Sequence, residues 1–263
     1  MRSELELQLL QEIEELKRKM NLLEGKEPPL IPTYQYSKIR DRDLTTLFEI
    51  ERNVDRHRFD DWFNTPIDID RATEVFLAEL LDENTILMDS YGEEDLKINF
   101  IGPLLKRVRF TSFEQHIRAF YEVSMTYATS RFIFNGTVDF MVAEGLVESK
   151  RPYFFIQEFK RSEDYGNPRP QLLAELISAL ELNAWPTMKG AYVIGGSWHF
   201  VILEKLASET YQYFLSPNFD ATKIEDVTRI YKYLVCVKQE ILSMNAAEKK
   251  TPKSLTEKRP NQG

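Results

Sequence analysis

The chain has 263 residues, 43% of them hydrophobic, with a single cysteine and a formal net charge of −8. This length and composition predict one substantial domain with a full hydrophobic core and appended segments. One cysteine excludes a disulfide framework and any cysteine-based zinc site. No apolar run approaches the length of a membrane span and no signal-peptide pattern opens the chain, so we expect a cytoplasmic protein.

The N-terminal segment, residues 1–24, is predicted to be an amphipathic helix. Its apolar side chains alternate between spacings of four and three: Leu9, Ile13, Leu16, Met20 and Leu23. This is the a/d pattern of a coiled coil about three heptads long, so the helix either packs on its own domain or forms a homodimer. Residues 25–40 contain three prolines and are predicted to be a linker.

The next segment, residues 41–92, is predicted to be an acidic helical region. Between Asp41 and Asp95 the sequence has 17 acidic and 5 basic residues, a balance of −12, which leaves +4 for the rest of the chain. Apolar spacing predicts helices over Leu44–His57 and Asp68–Leu81. A solvated surface is the simplest interpretation of these carboxylates, and a contact face for a basic partner is the alternative.

A helix is predicted to begin at Ser90-Tyr-Gly-Glu93 and to continue to Lys106. Ser90 and Glu93 have the spacing of a capping box, which is one explanation for Glu93. Basic residues interleaved with aromatic residues then dominate as far as Arg131. We select Lys106, Arg107 and Arg109 as candidates for contacts with a phosphate backbone, although a helix with a charged outer face has the same pattern.

Two consecutive apolar stretches are predicted to be paired strands that present an acid. Arg131–Phe134 and Thr137–Val142 flank Asn135-Gly136, a dipeptide typical of a tight hairpin turn. Asp139 therefore lies in a mostly apolar strand.

A third strand is predicted over Tyr153–Lys160. Its side chains alternate, so Glu158 and Lys160 share one face, and Phe159 points to the other. Burying an acid and a lysine is costly unless they pair or bind a metal. A structural ion pair is therefore the alternative to a catalytic site.

The remaining elements complete an α/β pattern. Residues 161–170 form a Gly/Pro loop in which Arg161 and Arg169 are candidates for substrate contacts. A helix is predicted over Gln171–Leu182, and residues 245–263 read as a disordered basic tail. Further strands and a last helix are predicted at Ala191–Ile194, Trp198–Leu203, Thr210–Leu215 and Ile224–Leu242.

An Asp in one strand and Glu-x-Lys in the next resembles the PD-(D/E)xK nuclease superfamily, which has a restriction-endonuclease-like fold. Val138 stands where the name of the motif has Pro. The resemblance spans residues 93–244 and implies a mixed β-sheet flanked by helices, preceded here by an N-terminal helical extension. Glu-x-Lys occurs at several other places in the chain, and only Glu158-Phe-Lys160 lies in an apolar strand that follows one with an Asp.

The resemblance also implies the roles of the site residues. Asp139, Glu158 and the carbonyl of Phe159 correspond to Mg²⁺ ligands, for which Mn²⁺ is a possible substitute, and Lys160 to the residue that positions the attacking water. Gln171 matches a glutamine that opens the following helix in many members. The sequence Phe100-Ile-Gly-Pro-Leu-Leu105 is similar to the nuclease domain of type I restriction-enzyme R subunits, which implies that Glu93, or failing it Glu94, approaches the metal.

These features together predict a Mg²⁺-dependent nuclease that acts on nucleic acid, DNA in preference to RNA. Mg²⁺ suits this chemistry because it binds a few carboxylates together with waters and phosphate oxygens. The alternative is a nucleic-acid-binding or protein-binding module on a nuclease-like fold without activity. Neither interpretation involves a membrane.

Overall fold

The structure is a computed structural model that describes residues 31–55, 57–160 and 167–250, with side chains as far as residue 244. The predicted N-terminal helix of residues 1–24 lies outside the described residues. The same holds for residues 25–30 of the predicted linker, for Arg161 and for residues 251–263. The linker prediction is wrong for the described remainder, because Thr33–Gln35 forms a strand and the side chains of Tyr36 and Ile39 are buried in the core. Within the described residues, no helix is both long enough and apolar enough to cross a membrane.

The chain forms two compact units. The smaller comprises Met1–Thr33 and Ala128–Ile133, and the larger comprises Tyr34–Tyr127 and Phe134–Gly263. In the smaller unit the hydroxyl of Thr129 accepts hydrogen bonds from the backbone N–H groups of Arg131 and Phe132, at 3.1 and 3.0 Å. All candidate site residues belong to the larger unit.

The described residues form nine strands of one mixed sheet. They are β1 Thr33–Gln35, β2 Glu49–Arg52, β3 Ile117–Ala128, β4 Ile133–Glu144, β5 Lys150–Lys160, β6 Thr187–Ile194, β7 Ser197–Ala207, β8 Thr210–Leu215 and β9 Phe219–Asp220. The sheet order is β1-β4-β5-β6-β7-β8-β2, with β3 paired to β4 and β9 to β7. The pairs β5–β6 and β2–β8 are parallel, whereas β4–β5, β6–β7 and β7–β8 are antiparallel.

Helices cover both faces of the sheet. They are α1 Asp41–Leu47, α2 Asp60–Phe63, α3 Arg71–Asn84, α4 Glu93–Leu96, α5 Gly102–Val108, α6 Pro168–Asn183 and α7 Ile224–Lys250. A π-helical segment, Lys97–Ile101, joins α4 to α5. Short 3₁₀ turns span Tyr36–Lys38 and Met88–Ser90.

Two layers of core side chains hold these helices against the sheet. On one face, apolar side chains of α3, α5 and α7 pack with Phe140, Phe155 and Trp198 of the sheet. On the other face α6 packs on β5 and β6, with Leu176 against Gly190. The fold is therefore mixed α/β with a large mixed sheet between helices, as the sequence predicts.

The predicted hairpin turn at Asn135-Gly136 is wrong, because β4 runs without interruption from Ile133 to Glu144. Gly136 has a φ of +155° and lies against the ring of Tyr36, where a Cβ would be 3.0 Å from Cδ2. The glycine therefore makes room for an aromatic ring instead of reversing the chain.

The acidic region contains a strand as well as helices. The helix expected over Leu44–His57 ends at Leu47, and Glu49–Arg52 forms β2. The helix expected over Asp68–Leu81 is confirmed as α3. The strand expected at residues 210–215 is confirmed as β8, whereas the last helix extends into the predicted tail as far as Lys250.

Candidate active site

Asp139 occupies the point where β4 meets β5. It lies in the apolar run Val138–Ala143 and is only 8% exposed. Its Oδ2 accepts a hydrogen bond from the backbone N–H of Phe159 at 2.9 Å, and its Oδ1 is 3.1 Å from the ammonium of Lys97. A buried carboxylate is tolerated in this sheet because both of its oxygens have a donor.

Glu158 is fully buried beside Asp139. Its Oε1 accepts a hydrogen bond from the backbone N–H of Asp139 at 3.2 Å. This contact follows from the antiparallel register, in which Phe140 faces Gln157, so that the preceding residue of β4 lies next to Glu158. The two predicted acidic ligands are therefore neighbours.

Glu158 also forms a hydrogen bond with Glu175 of α6, and we call these two residues the glutamate pair. Burial and, for Glu158, the charge of Glu175 raise the pKa of both carboxyl groups. Among the described residues, neither Oε2 atom receives a hydrogen bond from any other group. A shared proton between the two carboxyl groups accounts for these features, because two adjacent buried charges would repel each other.

A buried polar stripe on α6 explains how Glu175 reaches Glu158. Gln171, Glu175 and Ser178 recur at helical spacing within a helix that is otherwise apolar and buried. The amide of Gln171 donates to Glu175 Oε1 at 3.1 Å, and the hydroxyl of Tyr36 donates to Ser178 at 2.8 Å. Gln171, a predicted catalytic residue, thus contacts the glutamate pair.

Lys97 occupies the centre of four carboxylates, Glu93, Glu94, Glu122 and Asp139, which we call the carboxylate cluster. Its Nζ is 3.0 Å from Glu122 Oε1, 3.1 Å from Asp139 Oδ1, 3.2 Å from Glu93 Oε1 and 3.5 Å from Glu94 Oε1. Burial by itself would lower the pKa of Lys97, but the nearby carboxylates, Asp139 foremost, outweigh it and raise the pKa. The ammonium is therefore held as a cation.

The helix around Lys97 has an unusual local geometry. Lys97–Ile101 is π-helical, a form that occurs mostly as short bulges and often at functional sites. A Cβ at Gly102 would lie 2.8 Å from the carbonyl oxygen of Lys97, so a glycine is needed there. The segment sets the direction of Lys97, while Glu93 and Glu94 lie four and three residues before it on the same helical face.

The sequence offered a capping box with Ser90 as one explanation for Glu93, and this explanation is wrong. The helix begins at Glu93 with Gly92 as its N-cap, and Asp95 accepts the hydrogen bond from the N–H of Gly92 at 3.0 Å. The carboxylate of Glu93 is free to contact Lys97 and also lies 3.8 Å from Lys160 Nζ. Glu93 thus connects the α4 helix to the Glu158-Phe159-Lys160 strand.

A cavity of about 820 Å³ opens beside Asp139. Its wall includes Phe159 and three of the predicted phosphate-contacting residues, Lys106, Arg107 and Arg109. The guanidinium of Arg107 donates to Thr73 Oγ1, whereas Lys106 and Arg109 are exposed. The cavity therefore has a basic rim next to an acidic centre.

Arg169 lies at the start of α6 rather than on this wall. Its Nη2 is 2.6 Å from Asp41 Oδ2, which gives the side chain a structural role. Neither Arg161 nor its neighbours in the loop belong to the described residues, so the position of Arg161 stays a prediction.

The oxygen donors around Lys97 fit a hard divalent cation. Across the three described ranges, no group of three acidic, histidine or cysteine side chains is arranged to hold a metal ion as it stands. Lys97 instead provides a cation at the point where three carboxylate oxygens converge within 3.2 Å. Carboxylate oxygens are the ligands that Mg²⁺ prefers, so the donor chemistry suits the predicted ion.

Comparison with known proteins adds no family name: no protein-family model matches the chain, and no curated protein matches it.

Sequence reasoning missed three residues of the site, namely Lys97 as a central cation, Glu122 and Glu175. Glu175 has a signal in the sequence, because it follows Gln171 by four residues on a helix whose neighbours are apolar. Glu122 and Lys97 have none, because their contacts depend on how β3 and the α4 helix approach each other.

Proposed function

We propose that the chain is a Mg²⁺-dependent nuclease that hydrolyses phosphodiester bonds in nucleic acid, DNA in preference to RNA. The observation that carries the proposal is the convergence of segments distant in sequence. Glu93 of α4 lies 3.8 Å from Lys160 of β5, and Asp139 of β4 donates its backbone hydrogen bond to Glu158. A cavity with a basic rim adjoins this point.

The proposed roles follow the chemistry of each side chain. Asp139, Glu93 and Glu158, with the carbonyl of Phe159, would hold the ion. When bound, the ion supplies stabilisation of negative charge on the phosphate and a lowered pKa for a water molecule. Lys160 would orient that water, since its ammonium lies beside Glu93.

The rim of the cavity would bind the backbone of the substrate. Lys106 and Arg109 are exposed and have the charge to contact phosphates, which contributes affinity without reading sequence. Gln171 would act indirectly, through Glu175 and the glutamate pair.

The wider proposal concerns architecture and assembly. A mixed sheet between helices suits a restriction-endonuclease-like fold, with residues 1–24 as a helical extension. That extension would form a homodimer, which would suit an enzyme that cuts both strands. We propose that the protein acts in the cytoplasm.

A second candidate is a binding module without activity on the same fold. The observation that favours it is the contact of all four carboxylates of the cluster with the ammonium of Lys97. In that case the cluster would be a structural ion-pair network.

The deciding experiment measures cleavage of labelled DNA and RNA, single-stranded and double-stranded, with Mg²⁺, Mn²⁺ or EDTA. We expect metal-dependent cleavage by the natural chain and a loss of about 100-fold or more in Asp139→Asn and Lys160→Met. Asn retains an oxygen that can accept the hydrogen bond from Phe159, so the variant should stay folded.

Matched controls are Asp82→Asn and Lys38→Met, which remove the same charges from exposed positions. Both should cleave like the natural chain. Absence of cleavage with every substrate and metal, from a chain that melts cooperatively, would instead favour the binding module.

A further inference from the structure

We propose that Lys97 is an internal competitor for the divalent cation, and that Glu122 is a further ligand of that cation. The ammonium would hold the carboxylate cluster together in the metal-free protein, and the ion would enter as the ammonium leaves. This inference rests on the proposed function, because it concerns the regulation of the same site.

The geometry around Lys97 is that of an occupied cation site. Oxygens of Glu93, Glu122 and Asp139 lie at 3.0–3.2 Å from one nitrogen, which matches its three N–H donors. A Mg²⁺ ion needs oxygens at about 2.0–2.1 Å and so cannot share this position with the ammonium. Binding at these carboxylates therefore requires Lys97 to move.

A second observation places a further buried carboxyl group beside the cluster. Glu158 is fully buried and adjoins Asp139, and among the described residues its Oε2 has no hydrogen-bond partner outside the glutamate pair. Glu158 Oε2 therefore adds one more carboxyl oxygen next to the cluster. Among the described residues, no cation lies within hydrogen-bonding distance of it.

The surroundings of Lys97 allow its ammonium to leave. The side chain has a flexible four-carbon stem and lines the cavity of about 820 Å³. The cavity that it lines gives the ammonium space outside the cluster. The backbone can stay in place, since the π-helical segment directs the start of the side chain only.

The affinity for the metal ion would then depend on the equilibrium between two positions of Lys97, inside the carboxylate cluster and displaced from it. If the state with Lys97 displaced is a minor population, the apparent affinity for the ion is reduced by that fraction. Removing the ammonium removes the competition.

The test is calorimetric titration of the full chain with MnCl₂, comparing the natural protein with Lys97→Met. Methionine retains a long, unbranched stem and removes the charge. We expect Lys97→Met to bind Mn²⁺ roughly tenfold more tightly or better. Glu122→Gln in the Lys97→Met background should lose most of that gain.

The matched control is Lys106→Met, which changes the net charge equally and lines the same cavity without contacting the cluster. It should bind Mn²⁺ within about twofold of the natural chain. Equal affinity in Lys97→Met and the natural chain, or an equal gain in Lys106→Met, would overturn the inference.

Thermal melting distinguishes a change in Mn²⁺ affinity from a folding defect of the variant. Lys97→Met should melt at a lower temperature than the natural chain in EDTA, and Mn²⁺ should raise its melting temperature more than that of the natural chain. A smaller shift than in the natural chain would contradict the competitor role.

Cleavage assays on the same samples separate the two proposals. Metal-dependent cleavage by the natural chain, without tighter Mn²⁺ binding in Lys97→Met, would overturn the inference and leave the nuclease standing. Tighter binding without cleavage by any sample would support the competitor and overturn the nuclease.

Discussion

The molecule buries two groups of carboxylates side by side and stabilises them in opposite ways. The glutamate pair of Glu158 in β5 and Glu175 in α6 is fully buried, and burial raises the pKa of both carboxyl groups. The carboxylate cluster draws its members from α4, β3 and β4, borders the cavity and surrounds the ammonium of Lys97. Asp139 contacts both groups through its backbone N–H and its side chain.

The difference shows that the depth of burial decides how a group of carboxylates is stabilised. At the glutamate pair, burial outweighs the nearby charge of Lys160 and raises the pKa of both carboxyl groups, so the protonated form is favoured. Near the cavity a flexible lysine can reach the carboxylates while they keep their charge. The charged group can exchange its partner for a metal ion, and Glu158 of the glutamate pair adjoins that group through the backbone N–H of Asp139.

The largest expected effect comes from removing the cation of the cluster. Lys97→Met should lower the free energy of unfolding by about 2 to 3 kcal/mol in EDTA, because four carboxylates lose their central partner. Urea denaturation at neutral pH measures this effect. A variant as stable as the natural chain would show that the cluster needs no central cation.

The pH dependence of that effect follows from the raised pKa of Lys97. Stability from a raised lysine pKa is fully present below the ordinary lysine value and is lost as the pH rises through the folded-state value. The cost of Lys97→Met should therefore persist through neutral pH and decline only in strongly alkaline solution.

A smaller effect of opposite sign is expected at the glutamate pair. The raised pKa values mean that the folded chain holds a proton which the unfolded chain releases above the ordinary glutamate value. Stability from the pair is therefore present in acid and is lost as the pH rises through the folded-state values. In EDTA, Glu175→Gln should stabilise the protein on the order of 1 kcal/mol in mildly alkaline buffer.

The measurement is the free energy of unfolding of Glu175→Gln and the natural chain between acidic and mildly alkaline pH. The two curves should separate as the pH rises. Glu79→Gln provides a control at an exposed helical position outside the pair. Parallel curves for Glu175→Gln would mean that the pair holds no shared proton.

The smallest expected effect concerns the π-helical segment that positions Lys97. In an ordinary helix, Gly→Ala stabilises by about 0.5 to 1 kcal/mol. Here Gly102→Ala should destabilise by about 1 kcal/mol, because its Cβ would meet the carbonyl oxygen of Lys97. Thermal melting measures the sign, and a stabilised variant would show that the segment relaxes to a regular helix.

Prediction from sequence succeeded where local patterning decides the outcome. The β5 strand and the α6 helix follow from side-chain alternation and apolar spacing. The resemblance implied that Asp139 and Glu158 lie close together, and the strand register brings them into contact. It failed at Asn135-Gly136, where a turn dipeptide lies inside a strand because Tyr36 needs the space. The prediction of a cap at Ser90 also failed, because Gly92 and Asp95 cap the helix at its actual start.

Burial periodicity is a property of neighbouring residues, so it was enough to predict the mixed α/β class and the strand that carries Glu158 and Lys160. The position of Lys97 among four carboxylates and the contact of Glu175 with Glu158 become visible in the folded chain alone. Those contacts depend on strand register, on a π-helical segment and on the packing of helices against opposite faces of the sheet. Such features place residues distant in sequence within hydrogen-bonding distance, which no local pattern encodes.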